Sequence, residues 1–304
     1  MPVRKCSVLL VSLVAFLPQV YTQHIDYTWW NEKHHWDGHT SWLHYIRAEP
    51  RYLGPNALPV PELRDGEVGD HASLRLDMEN YFSAGDNTVD IGGSLVIPVA
   101  HQRVALEFFG VPLEYYKTDT IVRDERRSRE YDGRGWSACD LYFGTVVQLV
   151  REEGRWPGIT LGLTCKTASG DNIEGARVTD APGYYFDLGF GKWINRNLRI
   201  NGMAGFYAWQ TTDVEHRQND AFLYGIGTRL DIGGFTWEHD LSGFTGYMGR
   251  GDDPLVYRTS IGKRAGSAVF SIAYMKGLQS FPFHRLRISA DILFGMKKKP
   301  GRVK

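Results

Sequence analysis

The stretch 157–193 constrains the fold of this chain more than any other. It reads PGITLGLTCKTASG, then a polar run DNIEGARVTDAPG, then YYFDLGFGKW. On its first arm Ile159, Leu161, Leu163 and Cys165 alternate with Thr160, Gly162, Thr164 and Lys166. On its second, Tyr184, Phe186, Leu188 and Phe190 alternate with Tyr185, Asp187, Gly189 and Gly191. A period of two is the mark of a strand with one apolar and one polar face. The same pattern recurs over most of the chain beyond residue 70, and the polar phase keeps carrying charge. A soluble β-sandwich would turn the apolar phase toward a core. The recurrence points instead to an all-β fold, an antiparallel transmembrane β-barrel with its apolar phase toward lipid.

Alternation marks about twelve strands, approximately 71–82, 88–99, 104–116, 139–150, the two arms just described, 198–210, 221–231, 235–247, 255–261, 267–276 and 285–294. The connections alternate in character. AHQR, REEGRWP, NRN, DIGG and GKRAG are short, whereas KTDTIVRDERRSREYDGRGW and TTDVEHRQND are longer and polar. Short periplasmic turns and longer outer loops are the expected asymmetry of such barrels. The 34 glycines, 16 tyrosines and 9 tryptophans suit tight turns and interfacial girdles. The mean hydropathy of −0.33 would mark a soluble protein, but only alternate residues of a barrel strand meet lipid. A formal net charge of zero argues against a nucleic-acid partner.

The flanks divide the chain further. Residues 1–22 have a basic start (Arg4, Lys5) and an apolar run CSVLLVSLVAF, the layout of a signal peptide. Residues 23–69 are rich in His, Trp and Pro and do not alternate. GPNALPVPE within them must be extended, because its prolines lack backbone donors. This segment is expected on the periplasmic side or as a plug in the barrel mouth. Residues 70–295 form the barrel, and 296–304 a basic tail.

With the apolar phase toward lipid, the lumen is expected to be lined by Arg75, Asp77, Glu79, Asp90, Glu107, Asp140, Lys166, Asp187, Arg199, Arg229, Glu238, Asp240, Arg258, Arg287 and Asp291. An Arg or Lys turned to lipid at mid-depth would cost about 2–4 kcal/mol. Both signs are present, so the charges either pair across a narrow lumen or line a water channel. Twelve strands lie between the side-chain-filled barrel of eight and the aqueous pore of sixteen. His34, His35, His39 and His44 are weak candidates for a metal, because their spacing matches no closed site and tryptophans interleave them. Cys139 and Cys165 are a candidate disulfide in an oxidising compartment; the alternative is two small residues facing lipid. No G-x-S-x-G elbow is present, and Ser169 and Ser242 (near His239 and Asp240) lack the spacing of a nucleophile with its base. No catalytic residue and no cofactor are expected.

The run CDLYFGTVVQL, followed by WPGITLGLTCKTASG and YYFDLGFGKW, resembles the outer-membrane barrels associated with phenol meta-pathway operons, and the whole chain resembles exported barrels of the Bacteroides group. Cys139-Asp140-Leu141 and the turn 166–170 stand at that family's strand start and small-residue turn. The resemblance implies an outer-membrane uptake channel for small organic compounds. The last strand, LRISADILF, resembles a barrel-sorting signal and implies handling by the barrel-assembly machinery. The expectation is therefore a monomeric outer-membrane channel or transporter in contact with lipid and lipopolysaccharide. The alternatives are a lipid-modifying enzyme of that membrane, or a structural or adhesive barrel without an open pore.

Overall fold

The computed structural model describes residues 26–295; the signal-like stretch 1–22 and the tail 296–304 lie outside the described residues. The chain forms two compact units, divided after Gly38. In the first, a short helix α1 (Thr28–Lys33) sets the ring of Trp30 against His34 at 5.1 Å.

The second unit is the barrel. Its strands are β1 (Ala72–Ser83), β2 (Asp86–Val99), β3 (Val104–Thr118), β4 (Arg134–Ser137), β5 (Tyr142–Val150), β6 (Gly158–Lys166), β7 (Gly183–Trp193), β8 (Leu198–Gln210), β9 (Gln218–Ile232), β10 (Phe235–Gly246), β11 (Leu255–Ala265), β12 (Ala268–Gln279) and β13 (His284–Phe294). All pairings are antiparallel. β1 pairs with β13 from Ala72↔Phe294 to Phe82↔His284, which closes the sheet. The closed barrel has 12 strands. The four-residue β4 only extends β3 beyond the rim, pairing Glu114↔Ser137 to Lys117↔Arg134.

Closure removes the free edges that an open sheet would present. It also sorts side chains by parity. Leu76, Met78, Ile91, Leu163, Phe222, Ile226, Phe270 and Ile288 are each at least half exposed. They form an apolar belt round the outside. Such a belt is stable only against hydrocarbon, where every backbone group must also be satisfied internally; a closed barrel meets both demands. Rings gather near the long-loop end, as with Tyr115 against Trp136 at 4.9 Å and Phe82 stacked on His284 at 5.4 Å.

Five connections at one end are short: 100–103, 151–157, 194–197, 233–234 and 266–267. The other end carries the long ones, 119–141 and 167–182, together with 211–217 and 247–254. The connection after β3 is not wholly irregular. Asp119 accepts a hydrogen bond from the Val122 amide at 2.8 Å and so caps a short helix, α2 (Thr120–Glu125).

β3 contains a bulge. Ile91↔Leu113 is followed by Gly93↔Gly110, so three steps on β3 oppose two on β2. The extra residue lies at Val111–Pro112, where proline's missing donor costs no ladder bond. The inward phase therefore switches along β3 from Ala105, Glu107 and Phe109 to Glu114 and Tyr116.

Candidate functional site

Residues 44–69 run through the lumen, from the long-loop end to the short-turn end, directly into β1. At the long-loop end the Trp209 indole donates to the Ala48 carbonyl at 3.0 Å and the Thr212 hydroxyl to the Ile46 carbonyl at 2.8 Å. Midway, the Arg258 guanidinium donates to the carbonyls of Val60 and Pro61. Near the short-turn end Arg199 donates to the Asp65 carbonyl at 2.7 Å, and Gln148 bonds both Gly66 and Val68. Extended, proline-punctuated backbone forms no ladder of its own, so its carbonyls are satisfied by inward-facing side chains.

The wall is shaped to take the segment. Gly158, Gly162, Gly189, Gly191 and Gly225 face it from β6, β7 and β9. A Cβ at Gly191 would lie 1.8 Å from the Asp65 carbonyl oxygen, at Gly158 2.6 Å from that of Gly66, and at Gly189 2.8 Å from the Arg64 Cβ. Glycine is required wherever a second backbone approaches so closely. Along the rest of the segment Leu53, Ala57, Leu58 and Val60 join Tyr207, Trp209, Phe244, Phe281 and Phe283 in one buried apolar cluster. That cluster fills the half of the lumen nearest the long loops.

The fifteen charged residues expected at the lumen stand on inward-facing positions, and the structure brings fourteen of them into four groups. In the first, Lys166 pairs with Asp140 and donates to Thr179 at 2.7 Å. Asp140 also accepts from the amides of Ser169 and Gly170 at 2.8 Å each. In the second, Glu107 and Asp187 clasp Arg64 of the segment at 2.9 and 3.0 Å. The third lies toward the short-turn end: Arg199 pairs with Glu152 at 3.0 Å, and Arg229 with Asp231 at 3.1 Å. The fourth is the set along β1, β10, β11 and β13. There Arg75 pairs with Asp291 at 2.9 Å and Arg258 with Asp240 at 3.0 Å, while Arg287 reaches Glu62 of the segment at 2.7 Å. Ser289 donates to Asp77 at 2.6 Å, Ser260 to Glu238 at 3.2 Å, and Glu79 faces Arg285 at 3.4 Å. Asp90 stands apart from these, bonded at 2.6 Å by the Asn56 amide.

Asn56 also donates to Glu114 at 2.9 Å, and Glu114 belongs to a cluster that strand alternation alone does not reveal. Arg177, from the polar run 171–183, is fully buried. It donates to Glu114 at 2.6 Å, to Asp86 at 2.8 Å and to Thr88 at 2.8 Å. Arg126 adds a second bond to Asp86 at 2.6 Å. The loop 167–182 is thus folded into the lumen and tied there by buried, charge-assisted bonds.

Two candidate arrangements do not form. Cys139 and Cys165 are free thiols. Cys165 stands on the outward phase of β6 beside Leu163. Cys139 precedes β5 and is buried inside, with its thiol 3.6 Å from Glu114. The two therefore point to opposite faces of the wall, and only Cys165 faces outward. The four histidines do not gather either. His34 and His35 belong to the first unit and His39 and His44 to the second, and among the described residues no group of three metal-ligating side chains forms. Parity likewise separates His239 from Asp240 and Ser242. His239 bonds the Tyr257 hydroxyl at 2.7 Å, whereas Ser242 donates inward to Asp240 at 3.1 Å.

At the long-loop rim, Arg250 bridges Glu49 at 2.8 Å and Asp213 at 2.7 Å. Burial pushes the Asp213 carboxyl up, but Arg250 and the amides of His216 and Glu215 outweigh it and bring it down to about 2. Glu49 goes the other way, raised by burial against the pull of the same guanidinium.

Beside the segment a cavity of about 530 Å³ follows the wall of β1, β2 and β3. It extends from Asn56 and Phe281 down to Val68, Gly69 and Ser73. Its charged lining is water-accessible toward the short-turn end, where Arg75 is 33% exposed. At the other end its lining is buried, as with Cys139 and Asp140.

A closed antiparallel barrel with an outer apolar belt and a polar, charged interior is the fold of outer-membrane β-barrels. Among solved structures, it is similar to an outer membrane channel from Pseudomonas putida F1, with a TM-score of 0.53 and 10% identity over 79% of this chain and 97% of that one. Looser overlaps join it to the porin NanC (TM-score 0.48, 9% identity, 72% and 98% covered) and to the Pseudomonas putida toluene transporter TodX (0.40, 8%, 82% and 97%). No family description and no curated protein matches the sequence.

Proposed function

We propose that this chain is an outer-membrane channel for small solutes, closed in the form described here by residues 44–69 and the loop 167–182. The observation that carries the reading is the charged cavity of about 530 Å³ beside the segment. A barrel whose interior served only as a packed core would fill that space with apolar side chains at close-packed density. The mixed signs along it give no simple preference for cations or anions, so solute choice rests on local groups. The likeness to a channel from Pseudomonas putida F1 supports the fold of this reading.

The test is single-channel conductance in a planar bilayer, with the intact chain and with residues 39–69 deleted. Small or intermittent currents from the intact chain, and larger steady currents after deletion, are the expected result. Absence of current from both, with each barrel shown to be folded by its heat-dependent gel migration, would overturn it. A second reading, a structural barrel without a pore, has one observation in its favour, the fully buried Arg177–Asp86–Glu114 cluster across the long-loop half. Silence from both proteins would select it.

A further inference from the structure

Three acids of the segment line the cavity, Glu62, Asp65 and Glu67, and of these Glu62 is the one whose carboxylate meets several wall guanidiniums among the described residues. Its carboxylate takes Arg287 at 2.7 Å and Arg285 at 3.4 Å, with Arg75 at 3.9 Å. Arg258 stands nearby and adds to the attraction. These four guanidiniums come from β1, β11 and β13, and three of them have a wall carboxylate of their own. Arg75 has Asp291, Arg258 has Asp240, and Arg285 has Glu79. Arg287 has no wall acid closer than Glu79 at 3.8 Å, so Glu62 is its short contact. The Glu62 side chain is also 44% exposed to the cavity, far more than the 13% of Arg287. A carboxylate with that much access to water is one that another carboxylate can replace.

We propose that the Arg75–Arg258–Arg285–Arg287 cradle is a binding subsite for the carboxylate of a small organic acid, and that Glu62 occupies it as an internal surrogate. Guanidiniums recognise carboxylates through paired, directional donors. The buried Nε atoms of Arg258, Arg285 and Arg287 have no acceptor among the described residues, so the cradle has donor capacity in reserve. Asp77 and Glu238 face the same cavity and, among the described residues, accept from the hydroxyls of Ser289 and Ser260 and from no guanidinium. They would repel a second negative charge, which restricts the class to monocarboxylates. The inference rests on the channel reading for its physiological sense, but binding can be measured without conductance.

The experiment uses the full chain in detergent and follows propionate by saturation-transfer NMR, with propionamide as the uncharged control. An internal competitor lowers the apparent affinity by the fraction of time the site is free. Glu62→Gln should therefore tighten propionate binding by about tenfold and leave propionamide unchanged. Glu62→Gln with Arg287→Gln should lose that gain, and Arg287→Lys, which keeps the charge but not the fork, should lose most of it. Equal propionate affinity in the native chain and in Glu62→Gln, or equal binding of propionamide, would overturn the proposal. Tightened binding without current in any variant would keep the subsite and remove the channel.

Discussion

Arg177 shows what a single buried residue does here. It donates to Glu114, Asp86 and Thr88, all of them fully buried. Removing one partner of a buried ion pair leaves the other charges desolvated and unpaired, at a cost of about 3–5 kcal/mol. Arg177→Gln is therefore expected to lower barrel stability by about that amount, read as the urea midpoint for loss of the heat-modifiable band. It should also free the loop 167–182. Asp213 gives a case with a pH sign. Its folded-state value of about 2 lies below its ordinary 3.8. The stabilisation it contributes is present above the ordinary value and is lost as pH falls from 3.8 through 2. The clip Glu49–Arg250–Asp213 should loosen over that window. A spin label at Val214 is expected to become more mobile between pH 4 and pH 2 but not between pH 7 and pH 5, and Asp213→Asn should be mobile throughout.

At the scale of elements, the glycine-lined face of β6, β7 and β9 fixes where the segment lies. Gly191→Ala would place a methyl 1.8 Å from the Asp65 carbonyl oxygen, so the segment must move. The expected result is a higher single-channel conductance with unchanged heat-dependent migration. Gly202→Ala is the silent control, because the nearest atom to its Cβ position is 3.7 Å away. The strands themselves were legible, since a period of two needs only local sequence. So was the inward charge, because each such residue keeps parity with its strand. Legibility ended where parity broke. The bulge at Val111–Pro112 reverses the phase of β3, which hid Glu114 among outward positions. Irregular backbone before β5 turned Cys139 inward. The partners Arg64, Glu62, Asn56 and Arg177 lie in stretches without periodicity and meet the wall across long separations in sequence, so no local pattern marked them.

For the molecule as a whole, the cavity places any open path along β1–β3 and not through the centre of the barrel. Bulk introduced on that wall should block it. Ser94→Trp, projecting into the cavity from β2, is expected to reduce the conductance of the intact chain and of the deleted one. If only the intact chain responded, the solute would pass by another route once the segment is gone. The apolar belt carries a simpler consequence. The protein should need detergent to stay dispersed, because several phenylalanine, leucine and isoleucine side chains are half exposed on its outer face.

The threaded segment also dictates an order of events during assembly. Residues 44–69 pass through the ring and continue directly into β1, which is one side of the closing seam with β13. To thread that stretch through a finished ring, Leu53 and Leu58 would have to slide past Tyr207, Trp209 and Phe244 in the filled, long-loop half of the lumen. The practicable sequence is the reverse. The sheet curls round the segment while its first and last strands are still apart, and the β1–β13 seam is stitched last. The barrel is then cast around its own stopper, and withdrawing that stopper afterwards is a separate act from building the wall.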